Sequence, residues 1–360
     1  MQKKRLISLL VLSALAAAVA ATALLKARRA TSYAPTTPPV IDLWYGDEQY
    51  FGRLGTPQRW INVLGRVYSV HGTKSVEYRL NDGPAHSLSL GPDPYRLPRP
   101  GDFNIELAVD DLRDGFNRVL IHAQDRRGNE SERIVTLHYS GGHIWPLPYR
   151  IKWSEVGRIG DAAQVVDGLW RLLPDGVRTI ESGYDRVIAI GDQTWRDYEV
   201  RVSVTFHAFA PPVEGPPGFG VTHAAVAVRW PGHDEDSHQP HVKWFPLGST
   251  AEFRLSPTLE GSAWRILGGP EQEVEAKRGR RIELGEPYRI AVRVETLPGG
   301  DTRYRAKLWA AVEPEPTAWQ VTAVEGMEDV QSGSTLLIAH HTDVTFGDVT
   351  VTPLPADPQP

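Results

Sequence analysis

The sequence predicts an all-β chain of two sandwich domains behind one N-terminal membrane helix, and three observations predict it. Residues 6–25 are an unbroken run of apolar and small side chains between Lys3, Lys4, Arg5 and Lys26, Arg28, Arg29. Beyond that run no stretch keeps an apolar i, i+3, i+4, i+7 pattern, whereas many short runs alternate apolar and polar residues at a period of two. The 29 prolines and 33 glycines are spread along the 360 residues, as many short strands and turns require.

As a helix, the run at 6–25 is about 30 Å long and matches the hydrocarbon core of a bilayer. The small-residue triplets Ala18-Val19-Ala20 and Ala21-Thr22-Ala23 also fit a cleaved secretory signal. The run is longer than the usual ~7–15 residue signal core, and Leu24-Leu25 continue it, which favours an uncleaved signal-anchor. The expectation is a single-pass membrane protein with its bulk outside the cytoplasm, or a secreted one if the segment is cleaved. The first 29 residues hold six basic side chains and no acidic one, so the remainder is more acidic than the formal net charge of −5. Nucleic acid is disfavoured as a partner, because its recognition rests on clustered Lys and Arg. No cysteine is present, which removes disulfides, thiolate metal sites and cysteine nucleophiles and suits a bacterial envelope protein.

The segments follow in order: the signal-anchor at 1–29, a proline-rich linker at 30–39, a first domain at 40–140, a linker at 141–149, a second domain at 150–355 and a tail at 356–360. In the first domain, strands are expected at 40–45, 59–66, 75–80, 86–90, 103–107, 119–125 and 134–139. The Asn81-Asp82-Gly83 run supplies a turn signal. Gly115-Phe116-Asn117, an alternating strand, Asp125-Arg126-Arg127-Gly128-Asn129 and a last alternating strand form a pattern that resembles the closing half of bacterial immunoglobulin-like and cadherin-like modules. The resemblance covers about 100 residues and implies an immunoglobulin-like spacer.

In the second domain, strands are expected at 164–166, 169–173, 177–181, 186–190, 198–209, 221–230, 242–245, 251–255, 288–295, 303–311, 336–341 and 344–351. Tyr198, Val200, Val202, Val204 and Phe206 alternate with Glu199, Arg201, Ser203 and Thr205, which is one buried and one solvated strand face. So many strands need two packed sheets, hence a jelly-roll sandwich. The entry Asp167-Gly168-Leu169-Trp170, the strand Asp197-Tyr198-Glu199-Val200 and the closing run from Val344 to Val351 resemble the concanavalin A-like lectin/glucanase superfold, laminin-G-like domains included. That superfold hosts lectins, carbohydrate-binding modules, glycoside hydrolases, polysaccharide lyases and protein-binding modules, so function must come from a site.

The densest polar cluster is the connection from Trp230 through His233, Asp234, Asp236, His238 and His241 to Trp244. Tryptophan faces stack on sugar rings while short polar groups bond hydroxyls, so these seven residues are the candidate ligand contacts. A solvated hairpin capped by its tryptophans is the plainer reading of the same residues. His340 and His341, adjacent on a strand, are expected to point to opposite faces. The resemblance implies a structural calcium at Asp348, and no other cofactor is expected. Lys277, Arg278, Arg280 and Arg281 read as a solvated hairpin tip.

Retaining glucanases of this superfold carry a Glu-x-Asp-x-(x)-Glu strand motif, and the nearest stretch, Glu271-Gln272-Glu273-Val274-Glu275, lacks its central acid. No catalytic residue is assigned. The expectation is an envelope-anchored extracytoplasmic protein that recognises carbohydrate or cell-envelope glycan without catalysis. Two alternatives stand: a glycoside hydrolase or polysaccharide lyase, and a structural or adhesion module with a protein partner.

Overall fold

Strict alternation sets the faces of the first sandwich. In β7, Asn117, Val119, Ile121, Ala123 and Asp125 are buried while the residues between them are not. The computed structural model describes residues 37–209, 221–268 and 273–355. The expected membrane helix at 6–25 lies outside them; among the described residues no helix is long and apolar enough to cross a membrane.

The first sandwich uses β1 (Val40–Leu43), β2 (Glu48–Phe51), β3 (Trp60–Tyr68), β4 (Thr73–Leu80), β5 (His86–Ser87), β6 (Asp102–Ala108), β7 (Gly115–Asp125) and β8 (Glu130–Tyr139). A three-stranded sheet, β1-β3-β6, faces a five-stranded sheet, β2-β8-β7-β4-β5. Between them lie Val63, Phe103, Ile105, Val119, Ile121, Val135 and Leu137. The Asp125 carboxylate closes the β7–β8 turn, accepting from Arg127 N at 2.8 Å and Asn129 N at 2.9 Å, with Gly128 at φ +82°. Strand β2, not expected from the sequence, runs parallel to β8.

The second sandwich comprises β9 (Tyr149–Ile151), β10 (Gln164–Asp167), β11 (Trp170–Leu173), β12 (Gly176–Thr179), β13 (Arg186–Ile190), β14 (Tyr198–Phe209), β15 (Thr222–Trp230), β16 (Ser249–Leu255), β17 (Ala263–Leu267), β18 (Glu273–Glu275), β19 (Pro287–Thr296), β20 (Thr302–Ala310), β21 (Val321–Glu325), β22 (Ser334–His340) and β23 (Thr342–Pro353). Seven strands form one sheet, β10-β13-β22-β15-β16-β17-β18, and eight the other, β11-β12-β23-β14-β19-β20-β21, with β9 joined to β23. The alternation at 198–206 holds, since Tyr198, Val200, Val202, Val204 and Phe206 all enter the core.

Every residue of β15 and β22 is buried, because the seven-stranded sheet is covered on both faces. Its inner face meets the eight-stranded sheet through Ala224, Val226 and Leu337. Its outer face carries a second apolar layer of Val187, Ala225, Ala227, Trp230, Leu247 and Ile338.

The sandwiches meet through buried charge. Arg96, on the loop before β6, donates to Asp167 at the end of β10 at 2.9 Å and to Glu106 of β6 at 2.8 Å, and all three side chains are 3% exposed or less. Asn104 bonds Val166 O and Asp167, and Asn62 bonds Asn104 and Glu106. Burial pushes Asp167 up to about 6, against the pull of Arg96 and Arg186.

Removing one member leaves the others charged and unpaired in the interior. Arg96→Met is expected to cost about 3–5 kcal/mol in denaturant unfolding, while Arg133→Met, at the half-exposed pair with Asp47, costs about 0–1 kcal/mol. Asp167 holds its proton more tightly folded than unfolded, so its contribution is complete below 3.8 and is lost as pH rises through about 6. Unfolding curves between pH 4 and 7 should show that fall in the wild type and a flatter profile in Asp167→Asn.

Candidate functional site

The connection at 230–244 turns inward. Trp230 and His233 are fully buried, and the His233 ring sits 5.4 Å from Trp230 and 4.8 Å from Trp244, with Trp244 half-buried. The expectation that Trp230 offers its face to a ligand is therefore corrected: Trp230, with Trp244 packed against it, builds the outer apolar layer of the seven-stranded sheet. The cause is a bulge. The register of β15 against β22 shifts between Ala227 and Trp230, with Arg229 at φ +53°, so Trp230 joins Ala225 and Ala227 on the outer face instead of following Val228 inward. Burial, and next the nearby Arg96 charge, hold the His233 pKa well below its usual value, so the ring is neutral.

The polar members of the connection are taken up by the fold. Asp234 pairs with Arg59 at 3.0 Å and Lys243 at 2.5 Å. Burial works against the Asp236 charge, but backbone N–H groups of His238, Val242 and Lys243 at 2.7–2.9 Å hold its pKa below the carboxylate norm. Those bonds replace the strand expected at 242–245, where only an isolated Asp234–Lys243 bridge forms. His241 lies against Trp60, ring centroids 4.6 Å apart, and its backbone N–H donates to Glu106 at 2.8 Å. Of the seven candidate contacts, His238 alone is well exposed, at 58%.

Asp348 is exposed and accepts from the backbone N–H of Trp153 at 3.1 Å; it joins no grouping of three ligand-type side chains among the described residues. In the basic tip Arg280 pairs with Glu313, and Arg281 with Glu260 and Glu283. His340 and His341 do not part as strict alternation requires. His341 has φ +50°, just past the end of β22, and the two rings come within 4.5 Å. The one grouping of metal-ligand type among the described residues is Asp185, His223 and His340.

A cavity of about 740 Å³ opens between the sandwiches. One wall is β2 with the turn before it and the loop after it, including Trp44, Glu48, Tyr50, Phe51 and Arg53; the other is the 3-10 turn Ile159–Asp161 with Arg158, Gln164 and Val165. Buried Trp145 and Trp170 lie among its lining. The loop after β2 is pinned: Asp192 accepts from Thr56 N at 3.3 Å and Trp145 N at 3.1 Å, and a Cβ on Gly55, at φ +147°, would stand 2.4 Å from both Asp192 Oδ2 and Trp145 N. Tyr45 ties the same wall across, its hydroxyl donating to Gly168 O at 2.7 Å and accepting from Trp170 N at 3.0 Å.

Aromatic surface and charge of both signs alternate in this cavity. Arg158 lies 4.7 Å over the Tyr50 ring and pairs with Asp161 at 3.0 Å, and Arg53 lies 5.6 Å from the same ring. Sequence reasoning missed the cavity because its two walls lie about a hundred residues apart and β2 was unassigned; the Trp44-Tyr45 pair and Tyr50-Phe51 were its visible signals.

No family model matches this chain, and no curated protein matches it in sequence. Among solved structures, the carbohydrate binding module CBM66 from Bacillus subtilis is similar at 14% identity and a TM-score of 0.36, covering 53% of this chain and 95% of that one. The exoplasmic/lumenal domain of VIP36 in its Ca2+-bound form is similar at 11% identity and 0.35, covering 53% and 84%. The Caenorhabditis elegans galectin LEC-6 is similar at 10% identity and 0.27, covering 46% and 89%. Likenesses at this level assign neither ligand nor activity to this chain.

Trp230→Ala is expected to act as a core truncation, costing about 3–5 kcal/mol in denaturant unfolding. Exposed His238→Ala should stay within about 0.5 kcal/mol, and the two midpoints measured side by side check the inward placement.

Proposed function

We propose that this protein is a non-catalytic carbohydrate-recognition protein whose ligand enters the cleft between its two sandwiches. The observation that carries the reading is the cleft itself, whose volume falls in the ~300–1,000 Å³ range of small-molecule sites. Its walls offer half-buried aromatic surface at Trp44 and Phe51 beside donors and acceptors at Glu48, Arg53, Arg158 and Asp161. A neutral polyhydroxylated ring needs both, an apolar face to stack on and short polar groups for its hydroxyls. Acids and bases stand on the same rim, and Arg158 is already paired with Asp161, so a polyanion gains little there.

The first sandwich, read as an immunoglobulin-like spacer, then supplies one wall of the site as well as distance from the membrane. Envelope anchoring belongs to the same proposal and rests on the run at 6–25.

Calorimetry of the full chain against a polysaccharide and oligosaccharide panel should find one class of glycan at micromolar to millimolar affinity, about −4 to −8 kcal/mol. Trp44→Ala should weaken it at least about tenfold, the loss of roughly 1.4 kcal/mol, with a smaller change in melting temperature than Trp230→Ala gives. Normal binding by Trp44→Ala removes the cleft from the reading. Absence of any binding removes the carbohydrate, and release of reducing ends or unsaturated products from the same panel makes the protein a hydrolase or lyase.

A further inference from the structure

The outer face of the seven-stranded sheet changes character along its length. Towards one end it is the apolar layer around Ala225, Ala227 and Trp230; towards the other the same row of outward positions carries charged and imidazole side chains. His223 of β15 stands directly opposite His340 of β22, and their rings stack 4.5 Å apart, 6° from parallel. Asp185 immediately precedes β13, at φ +34°, and its carboxylate lies 2.8 Å from His340 Nδ1. One ligand atom from each of the three lies within 4.8 Å of the other two.

We propose that Asp185, His223 and His340 form a binding site for a divalent transition-metal ion of the zinc class. His223 is 6% exposed and His340 3%, yet His223 Nδ1 and His340 Nε2 have no hydrogen-bond partner. Buried polar atoms of a native fold are normally satisfied, so two bare imidazole nitrogens on adjacent strands beside a carboxylate call for a ligand that accepts lone pairs. Asp185 already stands at His340 Nδ1, so an ion held there is shared by that nitrogen and the carboxylate, with His223 Nδ1 turned in as the third donor.

Glu252, the nearest further acid along the face, is bonded to Arg254 at 2.9 Å and stands outside the donor set.

Two imidazole nitrogens and one carboxylate oxygen select zinc and its neighbours over calcium and magnesium, which take oxygen ligands in larger numbers. With metal–ligand bonds of about 2.0–2.2 Å, ligand atoms on a tetrahedral ion stand roughly 3.3–3.6 Å apart, so loading the site from within 4.8 Å requires the stacked imidazoles to turn out of parallel until both lone pairs meet the ion. Three protein ligands leave a fourth position for water or a ligand oxygen. The site shares none of these residues with the cleft, so it stands or falls apart from the carbohydrate reading.

The test uses the full chain, freed of metal with a chelator and titrated with ZnCl2 in a non-coordinating buffer. The wild type should bind one equivalent saturably. His223→Gln and His340→Gln should each weaken binding by on the order of 100-fold or more, beyond the ~10–100-fold typical of losing an outer partner, and exposed His143→Gln should not. Zinc K-edge absorption of the loaded wild type should show two histidine nitrogens, a readout that does not depend on any variant folding. No saturable zinc site, unchanged affinity in both histidine variants, or a ligand set without two histidines overturns the proposal.

Discussion

The charge cluster at the seam governs the rest of the molecule. Arg96 and Glu106 come from the first sandwich and Asp167 from the second, and none has appreciable access to water. Buried ion pairs add little net stability over an apolar packing of the same volume, but breaking one is costly, so what such a cluster supplies is orientation. The guanidinium is a planar fork. Its Nε faces the Asp167 carboxylate while Nη1 faces Glu106, and both contacts are kept only at one relative placement of β6 and β10. The spacing of the cleft walls follows from that placement, since Gln164 and Val165 belong to β10 and Asn62 to the neighbouring β3.

The same cluster decides the fate of the connection at 230–244. Glu106 uses one oxygen on Arg96 and the other on the His241 backbone, and Arg96 also donates to His241 O. Gln239 reaches Asn104 O, and Trp60 donates to His233 O. The connection therefore completes the seam from the second sandwich, and its tryptophans face the sheet because its backbone faces the first sandwich. Its backbone and carboxylates are bonded along that interface, while Trp230 Nε1, both His233 nitrogens and Gln239 Oε1 are buried without a partner.

This explains which parts were legible in sequence. Strands with one wet face, such as β14 and β7, print their alternation directly, and the turn chemistry at Asp125 and Gly128 is local, so both were readable. Strand β2 pairs in parallel with β8 some ninety residues away and has only four residues, too few for a period to declare itself. Strands β17, β18 and β21 lie toward sheet margins and were likewise passed over. The 230–244 connection was legible as a concentration of aromatic and ionisable groups but not as buried, because its partners Arg59, Trp60, Asn104 and Glu106 lie more than a hundred residues earlier. A bulge at one residue, Arg229, then reversed the face on which Trp230 emerges.

A sheet covered on both sides can admit polar side chains only where the cover ends or where the polar groups satisfy one another. Along β15 the outward residues run from Trp230 through Ala227 and Ala225 to His223, and along β22 through Ile338 to His340. The small and apolar stretch coincides with the cover supplied by Leu247, Trp244 and the 230–244 connection. Where that cover stops, Asp185, His340, His223 and Arg254 follow one another across four neighbouring strands, and Glu252 and Arg265 stand one step along. Ion pairs account for Glu252, Arg254 and Arg265, and a hydrogen bond for one nitrogen of His340. The accounting leaves one nitrogen on each of the facing imidazoles without a hydrogen-bond partner, at the place where the proposed ion would bind.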